Sequence, residues 1–498
     1  MARRLLVDVR PLRESPNFRR LWIGTGLSSI GNQMTVFAVA FQVFTLTHSS
    51  VAVGAVGLAT ALPAIVLGLF GGSIADAVDR RRLCIAMTGI QAVISVAFAV
   101  QAFAGLNRVW ILYTLVAASS VVGSINAPAR RTFLARLLPP ERVAAGAALN
   151  MFAMHAGLTL GPGVAGVIAG ARGLKVCYVV DAASFGASLY GLGRLPSMPP
   201  QAGASRPGLA AVVEGLRYMT GNRVLVGAFL ADMSATILAM PIALFPAINA
   251  AHFGGSPRTL GLITTAVAVG GIIGSGLSGP VGHVSRQGLA MLIAGGIWGV
   301  ALAGFGLSHE LWLALAFLTI AGIADVTSVV FRTALVQTIT PDRYRGRVSA
   351  AEYVVGMGFP QLGNFRAGAV ASATSPGFSA ISGGLAAVIG AGIIGLALPA
   401  FVRYDAFKVR AFGNRAVTDD VPPGAVTDDA LPGAVTDDAL PAVTENAVPC
   451  GGAAMRRRSA DAHPVPAPST ASRYPPERDP PRTSSSDEPA RRSQDAST

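Results

Sequence analysis

The feature that most constrains this chain is a series of apolar runs, each long enough to cross a bilayer. A crossing takes about 20 apolar residues in helical form. Twelve such runs can be marked: 21–46, 51–75, 83–104, 109–129, 144–170, 176–195, 224–250, 259–281, 288–307, 311–332, 347–372 and 378–402. Hydrocarbon offers backbone N–H and C=O groups no partners, so each run must satisfy its own hydrogen bonds as a helix. Charge content agrees. Only 13% of the 498 residues are charged and 52% are hydrophobic, against about 25% charged in a soluble domain. The expected fold class is an all-α integral membrane protein with twelve transmembrane helices.

Orientation follows from the arginines. One set of loops holds the N-terminal arginines, Arg80 to Arg82, Arg130, Arg131, Arg136, Arg142, Arg206, Arg217, Arg223, Arg286, Arg343, Arg345 and Arg347; the opposite set holds only Arg108, Arg172, Lys175 and Arg258. Short loops rich in Arg and Lys stay in the cytoplasm. With an even number of spans, both termini are expected there. The net charge of +13 is spread over these loops and the tail rather than gathered on one face, so it argues for topology and against a nucleic-acid partner. The first apolar run is too long for a signal-peptide core and reads as an uncleaved span.

The spans divide six and six about the longest internal loop, which contains Pro196, Pro199, Pro200 and Pro207. The expected organisation is an N-terminal six-helix half at 1–195, a central cytoplasmic loop at 196–223, a C-terminal six-helix half at 224–403 and a disordered cytoplasmic tail at 404–498. The halves repeat. Arg131-Thr132-Phe133-Leu134 with Pro140-Glu141-Arg142 matches Arg332-Thr333-Ala334-Leu335 with Pro341-Asp342-Arg343 at one constant offset. Parallel repeats of this kind build secondary transporters. The tail is rich in Pro, Ser, Asp and Arg, and its Ala-Val-Thr-Asp-Asp unit recurs from Ala416, Ala425 and Ala434. Such a segment buries too little apolar surface to fold.

Between the second and third runs stands Gly72-Ser73-Ile74-Ala75-Asp76-Ala77-Val78-Asp79-Arg80-Arg81-Arg82. It resembles the loop between spans two and three of the major facilitator superfamily, G-x-x-x-D-x-x-x-R-R, with Gly72, Asp76, Arg80 and Arg81 at the matching positions. Ala77 stands where the family often has Arg. The resemblance implies a gate: the carboxylate of Asp76 docks on the start of span eleven and on nearby arginines, and holds the two halves closed on the cytoplasmic side. Glu352, near the start of span eleven, is expected to join it. Plain topogenic charge is the simpler alternative. The second-half counterpart, Gly279-Pro280-Val281-Gly282-His283, has His where the carboxylate would be. Span five carries Gly157, Gly161, Pro162 and Gly166. This resembles the G-x-x-x-G-P motif of the superfamily's exporters, although small residues at four-residue spacing also serve ordinary close packing.

Ionisable residues inside spans are costly and are functional candidates by default. Asp232 lies in span seven, and Asp325 and Arg332 share a face of span ten. In this fold spans one, four, seven and ten line the cavity, so Asp232 and Asp325 are the expected proton carriers, with Arg332 as their partner. The alternative for Asp325 is a permanent pair with Arg332, and for Asp232 a hydrogen bond that holds span seven. Asp181 and Arg366 are placed near the outer ends of spans six and eleven, and His155 at mid-span five reads as a packed histidine. Three cysteines, Cys84, Cys177 and Cys450, have no metal or disulfide spacing. No Gly-rich loop opens a phosphate-binding helix, and no catalytic triad stands out. No enzyme activity, metal or cofactor is expected.

Further segments resemble the bacterial exporters related to the enterobactin (siderophore) exporter and to drug exporters: Asn17-Phe18-Arg19-Arg20-Leu21-Trp22, Asp232 to Pro241, Ala321-Gly322-Ile323-Ala324-Asp325, Thr340 to Val348 and Pro360 to Phe365. The likeness spans about residues 10–405. It implies a monomeric secondary transporter of the major facilitator fold in a bacterial plasma membrane, exporting an amphipathic small molecule, siderophore-like or drug-like, by proton antiport. Its partners would be that substrate, protons and the lipid bilayer. Nutrient uptake by symport, or a non-transporting membrane scaffold or sensor, are the rival functions.

Overall fold

The computed structural model describes residues 8–198, 209–277 and 284–405, with the backbone alone at 68–77, 131, 209–212, 342, 343, 346 and 350. The second-half motif at 279–283 and the tail from 406 lie outside the described residues, as do Pro199, Pro200 and Pro207.

Helix starts follow the local chemistry. A short α1 (Arg10–Glu14) leads into α2 (Pro16–Thr47). Ser15 Oγ accepts the Phe18 N–H at 3.2 Å and Pro16 occupies the first helical position, where a missing N–H costs nothing. His48 ends α2 in the left-handed region (φ 50°), and Ser49 at once caps α3 (Ser50–Ala77). Asp79 caps α4 (Arg80–Phe103). Next come α5 (Val109–Arg131), α6 (Phe133–Leu137), α7 (Pro140–Arg172) and α8 (Leu174–Gly193). The central loop contains a helix of its own, α9 (Leu209–Gly221), fastened to a later helix by a Glu214–Arg347 ion pair and by the stacked Tyr218 and Tyr344 rings, 4.5 Å apart.

Span seven departs from the expected single helix. The chain forms α10 (Arg223–Ala239), a 3-10 turn (Ile242–Leu244) and α11 (Phe245–His252). Pro241 has no N–H to give and forces its predecessor out of the helical region; Met240 is extended (φ −74°, ψ 120°). The remaining helices are α12 (Pro257–Gly276), α13 (Gln287–Leu307), α14 (Leu311–Ile339), α15 (Asp342–Ala373), α16 (Pro376–Ala397) and α17 (Pro399–Val402).

Among the described residues, eleven segments are long and apolar enough to cross a membrane. The expected twelfth, 347–372, falls in α15, which has the length at 32 residues. Its apolarity is diluted by Arg345, Arg347, Glu352 and Arg366. Helix α14 runs to Ile339, beyond the expected edge at 332. Charge does not end a helix that protein, rather than lipid, surrounds.

Helices α2, α4, α5, α7 and α8 pack together, with α3 against α5, and α10 and α12 to α16 form a second bundle. The α2–α8 seam is close enough that a Cβ on Gly24 would come 2.6 Å from the Ala187 carbonyl oxygen. The bundles meet along α3–α15 and α7–α12. Both seams are close toward the face opposite the α3–α4 turn: a Cβ on Gly54 would come 2.8 Å from the Asn364 carbonyl oxygen, and one on Gly166 2.7 Å from that of Pro257.

Candidate functional site

The second bundle gathers four of the ionisable side chains in its spans. Arg332 of α14 donates to the Asp232 carboxylate of α10, both side chains being largely buried at 14% and 12% exposure. Asp325 stands seven residues before Arg332, about two helical turns away on the same face. Both the Arg332 and the Asp232 charge act on it. Glu352 of α15 feels the same two charges. Asp325 is at the middle of α14 and yet exposed, between the buried Ala324 and the half-buried Val326. A carboxylate at mid-span is costly against lipid, so its exposure beside a buried ion pair marks Asp325 as a functional candidate. Among the described residues no donor is hydrogen-bonded to the Asp325 carboxylate.

The alternative of a permanent Asp325–Arg332 pair is therefore not what the structure contains: Arg332 reaches across to Asp232. A guanidinium two turns along its own helix can contact a neighbouring helix more easily than a short Asp side chain on its own. Glu352, expected at the Asp76 gate, is near enough for the charges of Asp232 and Arg332 to act on it. The backbone of Gly72 and Asp76 lies in the last turns of α3, and the Asp76 side chain is outside the described residues. With three carboxylates around one guanidinium, the cluster has a formal excess of negative charge that protons or a cationic group can offset.

On the face of the α3–α4 turn, Arg80 is buried at 6% exposure. Arg81 Nη2 donates to the Gly193 carbonyl at 2.7 Å, where the last turn of α8 has unpaired acceptors. Asp79, which sequence reasoning passed over, ties the turn to the chain after α8. Its Oδ1 accepts the Arg82 N–H at 2.9 Å, and its Oδ2 accepts Ser197 Oγ–H at 2.6 Å and the Met198 N–H at 2.9 Å. Partial burial works against the charge, but these donors outweigh it and hold the carboxyl below its ordinary value of 3.8. The Asp-then-Arg junction between two apolar runs was the available signal for a cap.

The span-five motif splits between two neighbours. Gly157 and Gly161 admit Ser29 and Gln33 of α2, where added Cβ atoms would come within 2.4 and 2.5 Å. Gly166 admits α12 of the other bundle, and the Pro162 carbonyl lies 2.9 Å from where a Cβ on Gly261 would be. Pro162 is buried inside an unbroken α7. Two further residues matter here: Arg366, placed on its span by the sequence but given no role, and Asn364, which was not singled out. Arg366 of α15 donates to the Leu238 carbonyl freed by the break in span seven, and Asn364 Oδ1 accepts the Ala243 N–H at 3.3 Å. The Pro241 signal marked the break, but nothing local marked what fills it.

Comparison with known proteins then decides the family. The transmembrane secretion effector family matches residues 8–423. The chain belongs to this family. It is 25% identical over 387 residues to the enterobactin exporter EntS of Citrobacter koseri, covering 76% of this chain and 93% of that one. It is 26% identical over 383 residues to EntS of Escherichia coli O157:H7, covering 75% and 91%. Among solved structures, the nucleoside transporter NupG superposes with a TM-score of 0.62 at 15% identity, over 78% of this chain and 99% of that one. A bacterial homologue of the iron transporter ferroportin superposes at 0.54 with 14% identity, over 76% and 98%. The fold is that of the major facilitator transporters. The protein is an efflux transporter, not an enzyme, and a multi-pass protein of a bacterial plasma membrane.

Proposed function

We propose that this transporter exports a siderophore-like amphipathic molecule by proton antiport, and that Asp232, Asp325, Arg332 and Glu352 are its coupling centre. The observation that carries this reading is the exposed mid-span Asp325 beside the buried Asp232–Arg332 pair. The similarity to proteins named enterobactin exporters supports the substrate class.

The cycle starts from the geometry at hand. The bundles pack closely toward the face opposite the α3–α4 turn, which supports a cycle that starts open to the arginine-rich face, assigned to the cytoplasm by the positive-inside rule. Substrate enters there while the carboxylates are ionised. Rocking of the bundle of 1–195 against that of 224–403, joined through 196–223, carries the site to the outside. A proton arriving from the outside on Asp232 releases Arg332, which then compensates Asp325 or Glu352. The neutralised site lets the substrate go, and the carrier returns without substrate but with its proton, which leaves to the cytoplasm and restores the ionised carboxylates. Asp76, Arg80, Arg81 and Gly72 hold the cytoplasmic side during the outward-facing phase. The tail at 404–498 stays outside this cycle, which one monomer completes.

The test uses full-length protein in liposomes with an imposed pH gradient and a catecholate siderophore. Wild type is expected to concentrate the siderophore against its gradient. Asp325→Asn is expected to lose gradient-driven accumulation while keeping exchange of labelled for unlabelled siderophore. Accumulation by Asp325→Asn at the wild-type rate would overturn the coupling role, and absence of any siderophore movement in wild type would overturn the substrate.

A further inference from the structure

The first bundle holds an acid that the coupling centre does not use. Asp181 is on α8, about two turns from its start, and only 2% exposed. Thr35 Oγ1 of α2 donates to its Oδ2 at 2.8 Å, and Ser95 Oγ of α4 donates to the same atom. Its other oxygen, Oδ1, is shut off from solvent with no hydrogen-bond partner. Among the described residues no charged side chain acts on it; burial and the two hydroxyls do. The groups that face it are Gly31 and Thr35 from α2, Ser95 from α4, and Ser184 of its own helix, whose hydroxyl donates to the Asp181 carbonyl at 2.7 Å.

An ionised carboxylate here would need a cation or several N–H donors, because desolvation of a lone charge costs far more than a hydroxyl pair returns. The partners present are hydroxyls, which accept from a neutral acid as readily as they donate to an anion. The bare oxygen also has no room to recruit one. A Cβ on Gly31 would come 2.8 Å from Oδ1, so α2 lies directly against it, and the same seam is closed lower down at Gly24. Water can reach Oδ1 only if α2 and α8 part.

We propose that Asp181 is a second proton-binding site, in the N-terminal bundle, loaded as a neutral acid while α2 is packed against α8 and unloaded only when that seam opens. Proton occupancy of Asp181 and the position of span one are then two sides of one equilibrium: whatever moves α2 changes the tendency of Asp181 to ionise, and its ionisation pushes α2 away. The site takes a proton and no larger ligand. It does not depend on which substrate the protein exports.

Infrared difference spectroscopy on purified full-length protein tests this, with thermal melts across the same pH range. The expected result is a carbonyl-stretch band of a protonated carboxyl that is missing in Asp181→Asn. As the pH is raised, the wild-type band is lost together with a fall in melting temperature, and the Asn variant, whose amide keeps accepting from Thr35 and Ser95, shows no such fall. Thr35→Val gives an independent readout should the Asn variant not fold: its carboxyl band shifts if Asp181 carries the proton, and stays in place if Asp181 is ionised. A wild-type band unchanged by either substitution, or melting curves of wild type and Asp181→Asn with the same pH dependence, would overturn the proposal.

Discussion

At the residue scale, the pairing of Arg332 with Asp232 sets what single changes do. Truncating Asp232 leaves a guanidinium buried without its partner, which costs about 3–5 kcal/mol in a buried pair. Asp232→Ala is therefore expected to lower the melting temperature in detergent much more than Asp232→Asn, whose amide oxygen still accepts from Arg332. Equal losses would show that the pair adds nothing. The sequence marked Asp232, Asp325 and Arg332 because charges inside apolar runs are rare. It did not say which acid holds the arginine, because that depends on the rotations of α10 and α14. Asp79 gives a second expectation. Removing its cap in Asp79→Ala should cost about 1 kcal/mol. Its carboxyl is held below the ordinary value of 3.8, so the stabilisation is complete above that value and lost as pH falls through the folded-state value. The melting-temperature gap between wild type and Asp79→Ala should be constant at neutral pH and close in acid; a gap that widens in acid would contradict the sign.

At the scale of elements, two helices carry the contacts between bundles. Helix α7 uses Gly166 to reach α12, and α15 lies along α3 while it also repairs the broken span seven through Asn364 and Arg366. Gly166→Val places methyl groups where the Pro257 carbonyl and Gly261 already are, an overpacking worth about 1–3 kcal/mol against this conformation. The protein can relieve it by parting the two bundles along this seam. Spin labels on α7 and α12 near the face opposite the α3–α4 turn should therefore move apart in Gly166→Val, and unchanged distances would mean that the seam tolerates the side chain. The glycine pattern of span five was legible as close packing, but which helix each glycine admits was not, since spacing alone names no neighbour. Helix α15 shows the reverse limit. Hydropathy undervalues it because its charges meet protein groups.

At the scale of the molecule, the bundles pack closely toward the face opposite the α3–α4 turn and Asp325 is exposed at mid-height. The proposed cycle requires the arginine-rich face to be the open one. With Cys450 replaced by Ser, Asp325→Cys should react with a membrane-impermeant thiol reagent in inside-out vesicles and be protected in right-side-out ones. The opposite pattern would place the opening on the outside. Deleting the residues after Arg415 should leave transport unchanged while Asp76→Asn impairs it severely; a tail-dependent activity with a silent Asp76→Asn would point to a scaffold or sensor instead.

The helical class, the division of loops by charge and the transporter family were all legible in the linear chain, for one reason. Lipid imposes its rules on short stretches at a time: a length of apolar residues, a charge bias in the loops, a glycine where helices touch. Which acid holds Arg332, how the break at Pro241 is filled and why Asp181 has a bare oxygen were settled by assembly. These depend on helix rotation and on residues far apart in the chain, as with Thr35 and Asp181 or Asp232 and Arg332, and no local pattern carries that information.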